Sequence, residues 1–207
     1  MELVAWAAAE GTPLDVVGDG SKQALGRPSI ADHVVDFTGL SGISLYEPEE
    51  LVLSAAAGTK MAEIERAVAE RHQMLAFEPP DLGSLWGGKV GCGTLGGVLA
   101  CNLSGSRRIK AGAARDHLLG VEAVSGRGEE FKTGGRVMKN VTGYDLCKLL
   151  TGSYGTLAAM TQATVKVLPA PETTRAVVVL GLNDEEATAA MTAALGSTHE
   201  VSGAAHI

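Results

Sequence analysis

Residues 91–109, GCGTLGGVLACNLSGSRRI, break an otherwise apolar run with Gly91, Gly93, Gly96, Gly97 and Gly105. A chain gives up helix and strand propensity on that scale where its backbone must turn sharply or let another group approach closely. Glycine-dense loops that open onto apolar helices expose main-chain N–H groups and are suited to holding phosphate. A second cluster, VVGDGSKQALG, occupies residues 16–26. Two separated glycine nests in one small domain point to a large dinucleotide gripped from two sides.

Composition bounds the class. The chain has 207 residues, 45% of them hydrophobic, with 27 glycines. That is long enough for a proper core and reads as an α+β or α/β protein. A formal net charge of −7 argues against a nucleic-acid partner, for which a basic face is expected. No run of about 18 apolar residues predicts a transmembrane helix. The N-terminus lacks the basic-then-apolar order of a signal peptide, so a cytoplasmic setting is expected. Cys92, Cys101 and Cys147 fit no zinc spacing and read as reduced, buried structural thiols, with no metal site expected.

Periodicity predicts a helix over residues 1–10 ending at Gly11 and short strands over 14–17, 33–37, 42–46 and 51–55. An amphipathic helix follows over 60–73, with Thr59 as its N-cap and Met61, Ile64 and Val68 on its apolar face. Residues 76–95 read as a long irregular loop, and residues 95–103 as a short helix starting on glycine. Residues 117–124 and 129–132 suggest a hairpin about Ser125-Gly126-Arg127-Gly128. A helix is expected over 145–150, and a strand over 157–167 with Ala159, Thr161, Ala163, Val165 and Val167 on one face. Beyond Pro169 and Pro171, a strand over 175–181 and a helix over 185–195 read as a second module. One strand and one helix cannot bury both faces, so residues 171–207 are expected to open a truncated α/β cap domain.

Two familiar nucleotide signatures are nearly present. Gly91-Cys92-Gly93-Thr94-Leu95-Gly96 satisfies G-x-G-x-x-G, with Asp116 downstream, but no convincing strand precedes it and no βαβ unit surrounds it. Residues 83–90 match a P-loop except that Val90 replaces the Mg²⁺-binding hydroxyl residue. Neither reading is adopted.

Four longer pieces occur in order: VVGDGSKQALG, AAGTKMAEIERAV, GTLGGVLACNLSGSRRIKAGAARDHLLGVEAV and VTGYDLCKLLTGSYGTLAAMTQATVKVLP. Together they resemble the vanillyl-alcohol-oxidase/p-cresol-methylhydroxylase group of FAD-linked oxidases, over roughly residues 1–170. Within that group, KNVTGYDLCKL and SGSRR are most similar to the smaller FAD-binding subunit of bacterial glycolate oxidases. The resemblance implies an α+β, FAD-binding PCMH-type fold of two α/β subdomains, about 1–57 and 58–170, with FAD held between them. It implies cofactor contacts from Val17, Gly18, Asp19, Gly20, Ser21 and Lys22 in the first loop, and from Pro79. In the second stretch it implies Thr94, Leu95, Gly96, Gly97, Asn102, Ser104, Gly105 and Arg107. Residues 94–97 would offer N–H donors at a helix start, and Ser104-Gly105 would pass close to the isoalloxazine ring. Gly155, Thr161, Ala163 and Val165 complete the set, the last three as edge-strand donors.

The same resemblance implies hydride transfer from a small 2-hydroxy acid to flavin, with electrons leaving through partners. Those partners would be a flavoprotein catalytic subunit and an iron–sulfur subunit of a glycolate-oxidase-like complex, with peripheral membrane association only through them. The loop GDGSKQ carries no His or Cys for covalent attachment there, so dissociable FAD is expected. No catalytic base is assigned: His33, His72, His117, His199 and His206 show no partner pattern, and the fragment alone is expected to be inactive.

Plainer roles stand beside these. Gly152 and Gly155 could simply turn the chain, Tyr144 pack, Asp145 cap a helix, and Arg107, Arg108 and Lys110 face solvent or a partner. Lys139-Asn140 is expected near the flavin ring as a contact. Asp19, where a carboxylate beside a diphosphate would be repulsive, favours a rival reading: an assembly subunit that keeps the fold but binds flavin weakly or not at all.

Overall fold

The computed structural model describes residues 1–83, 85, 89–136 and 143–207. The pieces of residues 83–90 and the Lys139-Asn140 pair that fall between these spans lie outside the described residues. Helix α1 (Glu2–Glu10) stops where Gly11 enters the left-handed region at φ 67°, its N–H capping Ala7 O. Strand β1 (Leu14–Val17) pairs in parallel with β2 (His33–Asp36), forming a small two-stranded lobe.

The larger lobe is an antiparallel sheet. Strands β3 (Ile43–Glu47) and β4 (Val52–Ala56) form a hairpin, and α2 (Met61–Ala69) follows, with Met61, Ile64 and Val68 buried. The short β5 (Gln73–Met74) comes next, then helices α3 (Leu95–Ala100), α4 (Arg108–Ala111) and α5 (Ala114–His117). Strands β6 (Leu118–Ser125) and β7 (Glu130–Gly134) make the expected hairpin. Helix α6 (Leu146–Leu150), strand β8 (Ala158–Lys166), the two-residue β9 (Leu168–Pro169) and helix α7 (Asp184–Leu195) complete the chain. The sheet order is β3-β4-β8-β6-β7.

One face of this sheet carries the core. Leu53, Ala55, Ala163, Val165, Val121 and Ala123 pack against Ile64, Val68, Leu95, Val98 and Leu99 of α2 and α3, with Phe77 between them. Full burial of side chains such as Leu53, Ile64 and Phe77 contributes about 1.5–3 kcal/mol each. The helices thus cover one side of the sheet and set the start of α3 against the end of β4.

Three expectations change. Residues 157–167 do not keep one face inward: a bulge between the partners of Met160 and Gln162 switches the alternation, so Ala158 and Met160 join the core alongside Ala163 and Val165. Thr59 does not cap α2. Lys60 holds the N-cap position, and the buried Thr59 hydroxyl instead accepts from Gly42 N (2.9 Å) and donates to Gly42 O (3.2 Å). Residues 175–181 form no strand. No described segment lies beside them as a hydrogen-bonding edge, so Val177, Val178, Val179 and Leu180 are exposed.

Candidate functional site: a cleft between two glycine loops

The two glycine clusters meet. A Cβ added to Gly18, just after β1, would lie 2.5 Å from Thr94 Oγ1, and one added to Gly93 would lie 3.0 Å from Lys22 Nζ. Gly58 closes the same seam: its N–H donates to Leu40 O, and a Cβ there would stand 1.8 Å from Phe37 O. At Gly18 and Gly58 only a bare Cα fits without displacing the neighbour. Between the lobes lies a cleft of about 70 Å³, walled by Val16, Gly18, Phe37, Ala57, Thr94, Gly96, Gly97, Tyr154, Gly155 and Met160.

The two loops have different chemistry. In the first, Gly20 turns the chain at φ 69°. The main-chain N–H groups of Gly18, Asp19, Gly20, Ser21 and Lys22 donate to no acceptor among the described residues. Five consecutive unclaimed amide donors next to a cleft form a nest for an anion. Ser21 adds a hydroxyl, which accepts from Lys22 Nζ at 3.0 Å.

The second loop offers no such run of donors. Leu95 N donates to Thr59 O (2.9 Å), Gly96 N to Ala57 O (2.8 Å) and Gly97 N to the capping hydroxyl of Thr94 (3.3 Å). The expectation that residues 94–97 present free N–H groups is therefore kept for Thr94 N, which donates to no acceptor among the described residues, and corrected for Leu95, Gly96 and Gly97. Their amides fasten the start of α3 to the end of β4, and what they show the cleft is glycine Cα surface.

Asp19 turns its carboxylate to the opposite loop. It accepts from Gly93 N at 3.2 Å and pairs with Lys60 at 3.4 Å, so much of its charge is already engaged. Lys22 is half-buried, and burial is the main influence holding its ammonium below the ordinary lysine range.

Other expected contacts gather elsewhere, around Glu78, whose neighbour in the chain is Pro79. The Glu78 carboxylate accepts from Ser106 Oγ and Arg107 N, both at 3.2 Å, and pairs with Arg107 Nε at 3.3 Å. Gly105 is needed there because a Cβ would come within 2.7 Å of Glu78 O. A crowding flat ligand is not required to explain it. Ser104 Oγ accepts from Ala114 N (2.9 Å), and Asn102, left-handed at φ 51°, accepts from Arg115 N (3.0 Å). These side chains hold the loop in shape.

Thr161, Ala163 and Val165 are not edge-strand donors. They lie on β8, the central strand, paired to β4 on one side and β6 on the other. Ala163 and Val165 are core residues. Gly155 does line the cleft, at φ 76°, beside Tyr154, itself left-handed at φ 55°. Sequence reasoning missed Phe37, Ala57 and Tyr154; the only hint was the GSYG turn. Asp145 caps α6 by accepting from Lys148 N at 3.2 Å, which settles its plainer role.

Two of the three cysteines depart from the expected burial. Cys147 is buried against Thr133 O and Leu119 O, whereas Cys92 and Cys101 are half-exposed. A second, larger concavity of about 270 Å³ opens on the sheet face away from the core. Its cations Lys132 and Arg136 are already paired with Glu122 and Glu47. No described helix is long and apolar enough to cross a membrane.

Two lobes meeting at a glycine seam, with an open amide nest on one of them, are the architecture of a flavin-binding domain. The family described as FAD binding domain matches residues 1–134, and the chain belongs to that family, with FAD as its cofactor. It is 43% identical over 171 residues to the glycolate oxidase subunit GlcE of Escherichia coli, covering 83% of this chain and 47% of that protein. It is 34% identical over 176 residues to the glycolate oxidase subunit GlcD of Bacillus subtilis, covering 84% of this chain and 36% of that one. A D-lactate dehydrogenase of Archaeoglobus fulgidus is 36% identical over 149 residues, covering 64% of this chain and 32% of the enzyme. The chain thus spans between about a third and a half of these relatives. Among solved structures, an alkyldihydroxyacetonephosphate synthase shares the fold with a TM-score of 0.66 at 22% identity, over 83% of this chain and 30% of that one.

Proposed function

We propose that this chain is the FAD-holding part of a flavoprotein that oxidises a small 2-hydroxy acid, working with partner subunits as glycolate oxidase subunits do. The observation that carries the reading is the run of five N–H groups at Gly18–Lys22 with no acceptor among the described residues, a run that begins at Gly18, which lines the cleft with Thr94, Gly96 and Gly97. A diphosphate satisfies such donors without requiring new backbone order.

In this reading the first subdomain ends before β3 and not at residue 57, because β3 and β4 belong to the larger sheet; the second runs from β3 to residue 170, and 171–207 begin a cap domain. Gly18, Gly96, Gly97 and Gly155 admit the cofactor by leaving out side chains, and Thr94 fixes the second loop by capping α3. Ser104, Gly105 and Arg107, braced on Glu78 and Ala114, shape the wall where the ring system would lie. When bound, FAD supplies the hydride acceptor, and the chain's own share is orientation and electrostatics. A flavoprotein catalytic subunit and an iron–sulfur subunit would complete the electron path, in the cytoplasm or peripherally at a membrane through those partners.

The assembly-only alternative rested on Asp19 repelling phosphate. Because that carboxylate is engaged with Gly93 and Lys60, the objection loses its force. Titration of the purified chain with FAD, followed by flavin fluorescence, tests the proposal. Saturable binding of one FAD, released intact on denaturation, is expected, with little oxidation of glycolate or D-lactate by the chain alone. Absence of saturable binding would reject it.

A further inference from the structure

Lys22 is the one group at the nest whose placement the backbone does not explain. Its ammonium reaches over the second loop, 3.0 Å from a Cβ position on Gly93 and 3.5 Å from one on Gly97, yet among the described residues its only hydrogen bond is to the neutral Ser21 hydroxyl. No carboxylate among the described residues stands within 4.0 Å of it. Among the described residues, both carboxylates that act on it are engaged by other groups. Asp19 is held by Gly93 N and Lys60, and Asp81 accepts from Gly83 N at 3.0 Å and Gly91 N at 2.6 Å. Cys92 and Cys101 are the remaining neighbours, and burial pushes the Cys101 thiol up, which keeps it neutral. A half-buried cation without an ion-pair partner is costly unless an anion arrives.

Resting on the FAD reading above, we propose that Lys22 bridges the two glycine loops as the cationic clamp for the cofactor's diphosphate, making the chain selective for diphosphate-bearing flavins over neutral ones. Placed at the end of the open amide run, the ammonium supplies the charge the backbone lacks, and a point-charge donor suits a phosphate oxygen. The second loop, whose Leu95, Gly96 and Gly97 amides are spent, then takes part through this lysine. Because burial disfavours the unpaired ammonium and the diphosphate would restore it, FAD binding draws in a proton at alkaline pH, and affinity falls as pH rises through the free protein's Lys22 titration.

The test is FAD titration of wild type, Lys22→Met and Lys22→Arg between pH 6.5 and 10, with riboflavin as the phosphate-free probe and thermal melts of each protein without ligand. Loss of a charge-assisted contact predicts roughly tenfold to hundredfold weaker FAD binding in Lys22→Met. The melt should not fall, riboflavin binding should be unchanged, and the pH dependence should vanish. Lys22→Arg should hold FAD within a few-fold of wild type with a flat pH profile. Wild-type binding of FAD matched by Lys22→Met, or weakened equally for riboflavin, would overturn the clamp while leaving the FAD reading intact. Failure of the wild type to bind FAD at all would remove both.

Discussion

Gly18 and Thr94 touch across the lobe boundary so closely that a methyl group on Gly18 would sit 2.5 Å from Thr94 Oγ1. That oxygen is also the acceptor that caps α3 through Gly97 N, at 3.3 Å. One contact therefore ties the open amide loop to the helix facing it.

Gly18→Ala should open this seam. The expected result is FAD binding weakened at least tenfold, with a melting temperature lowered by several degrees. Adding Thr94→Ala removes the obstructing hydroxyl and should recover part of the binding, although loss of the cap costs about 1 kcal/mol. Titration and thermal melts of the single and double variants check both statements.

Asp19→Asn keeps an acceptor for Gly93 N and gives up the ion pair with the largely exposed Lys60. Stability should change by under about 1 kcal/mol. FAD affinity should stay level or rise by a few-fold, since one negative charge has left the phosphate site. A large loss of affinity in isothermal titration would contradict the orientation assigned to this carboxylate.

His117 is fully buried, with Nε2 2.9 Å from Ala111 O and its ring 5.3 Å from that of Phe77. Burial is the largest influence, and it pushes the imidazole below its ordinary value of about 6.5. The unfolded chain thus takes up a proton at a higher pH than the folded one. Stability is full above that ordinary value and declines as pH falls from it toward the lower folded value. Urea unfolding at pH 7.5, 6.0 and 5.0 should show this decline, and His117→Gln should flatten it.

Leu99→Ala empties a fully buried position where α3 packs on the sheet core. A loss of about 2–5 kcal/mol is expected by chemical denaturation. Asp145→Ala removes the α6 cap and should cost only about 1 kcal/mol, leaving FAD binding unchanged.

Local patterning made much of the fold legible. Gly11 ends α1, Met61, Ile64 and Val68 mark the inner face of α2, and the Ser125–Gly128 turn joins β6 to β7, because each depends on neighbours a few residues away. The β5–β9 pair was invisible, since Gln73–Met74 and Leu168–Pro169 are too short to announce themselves and meet only through the folded chain. The face switch at Thr161 was hidden for a similar reason: a bulge is set by the partner strand, not by the residues that carry it.

The sequence by itself determined that two glycine-dense loops would exist and that the first would follow a strand, because glycine content and hydrophobic alternation act locally. Which loop still has donors to offer was a tertiary decision. Every N–H must find an acceptor or face solvent or ligand, and contacts with Ala57 and Thr59 consume the amides of Leu95 and Gly96 while those of Gly18–Lys22 are left open. The same packing turned Asp19 toward Gly93 and left Lys22 without a carboxylate within 4.0 Å among the described residues, although both sit in one loop whose letters look equally polar.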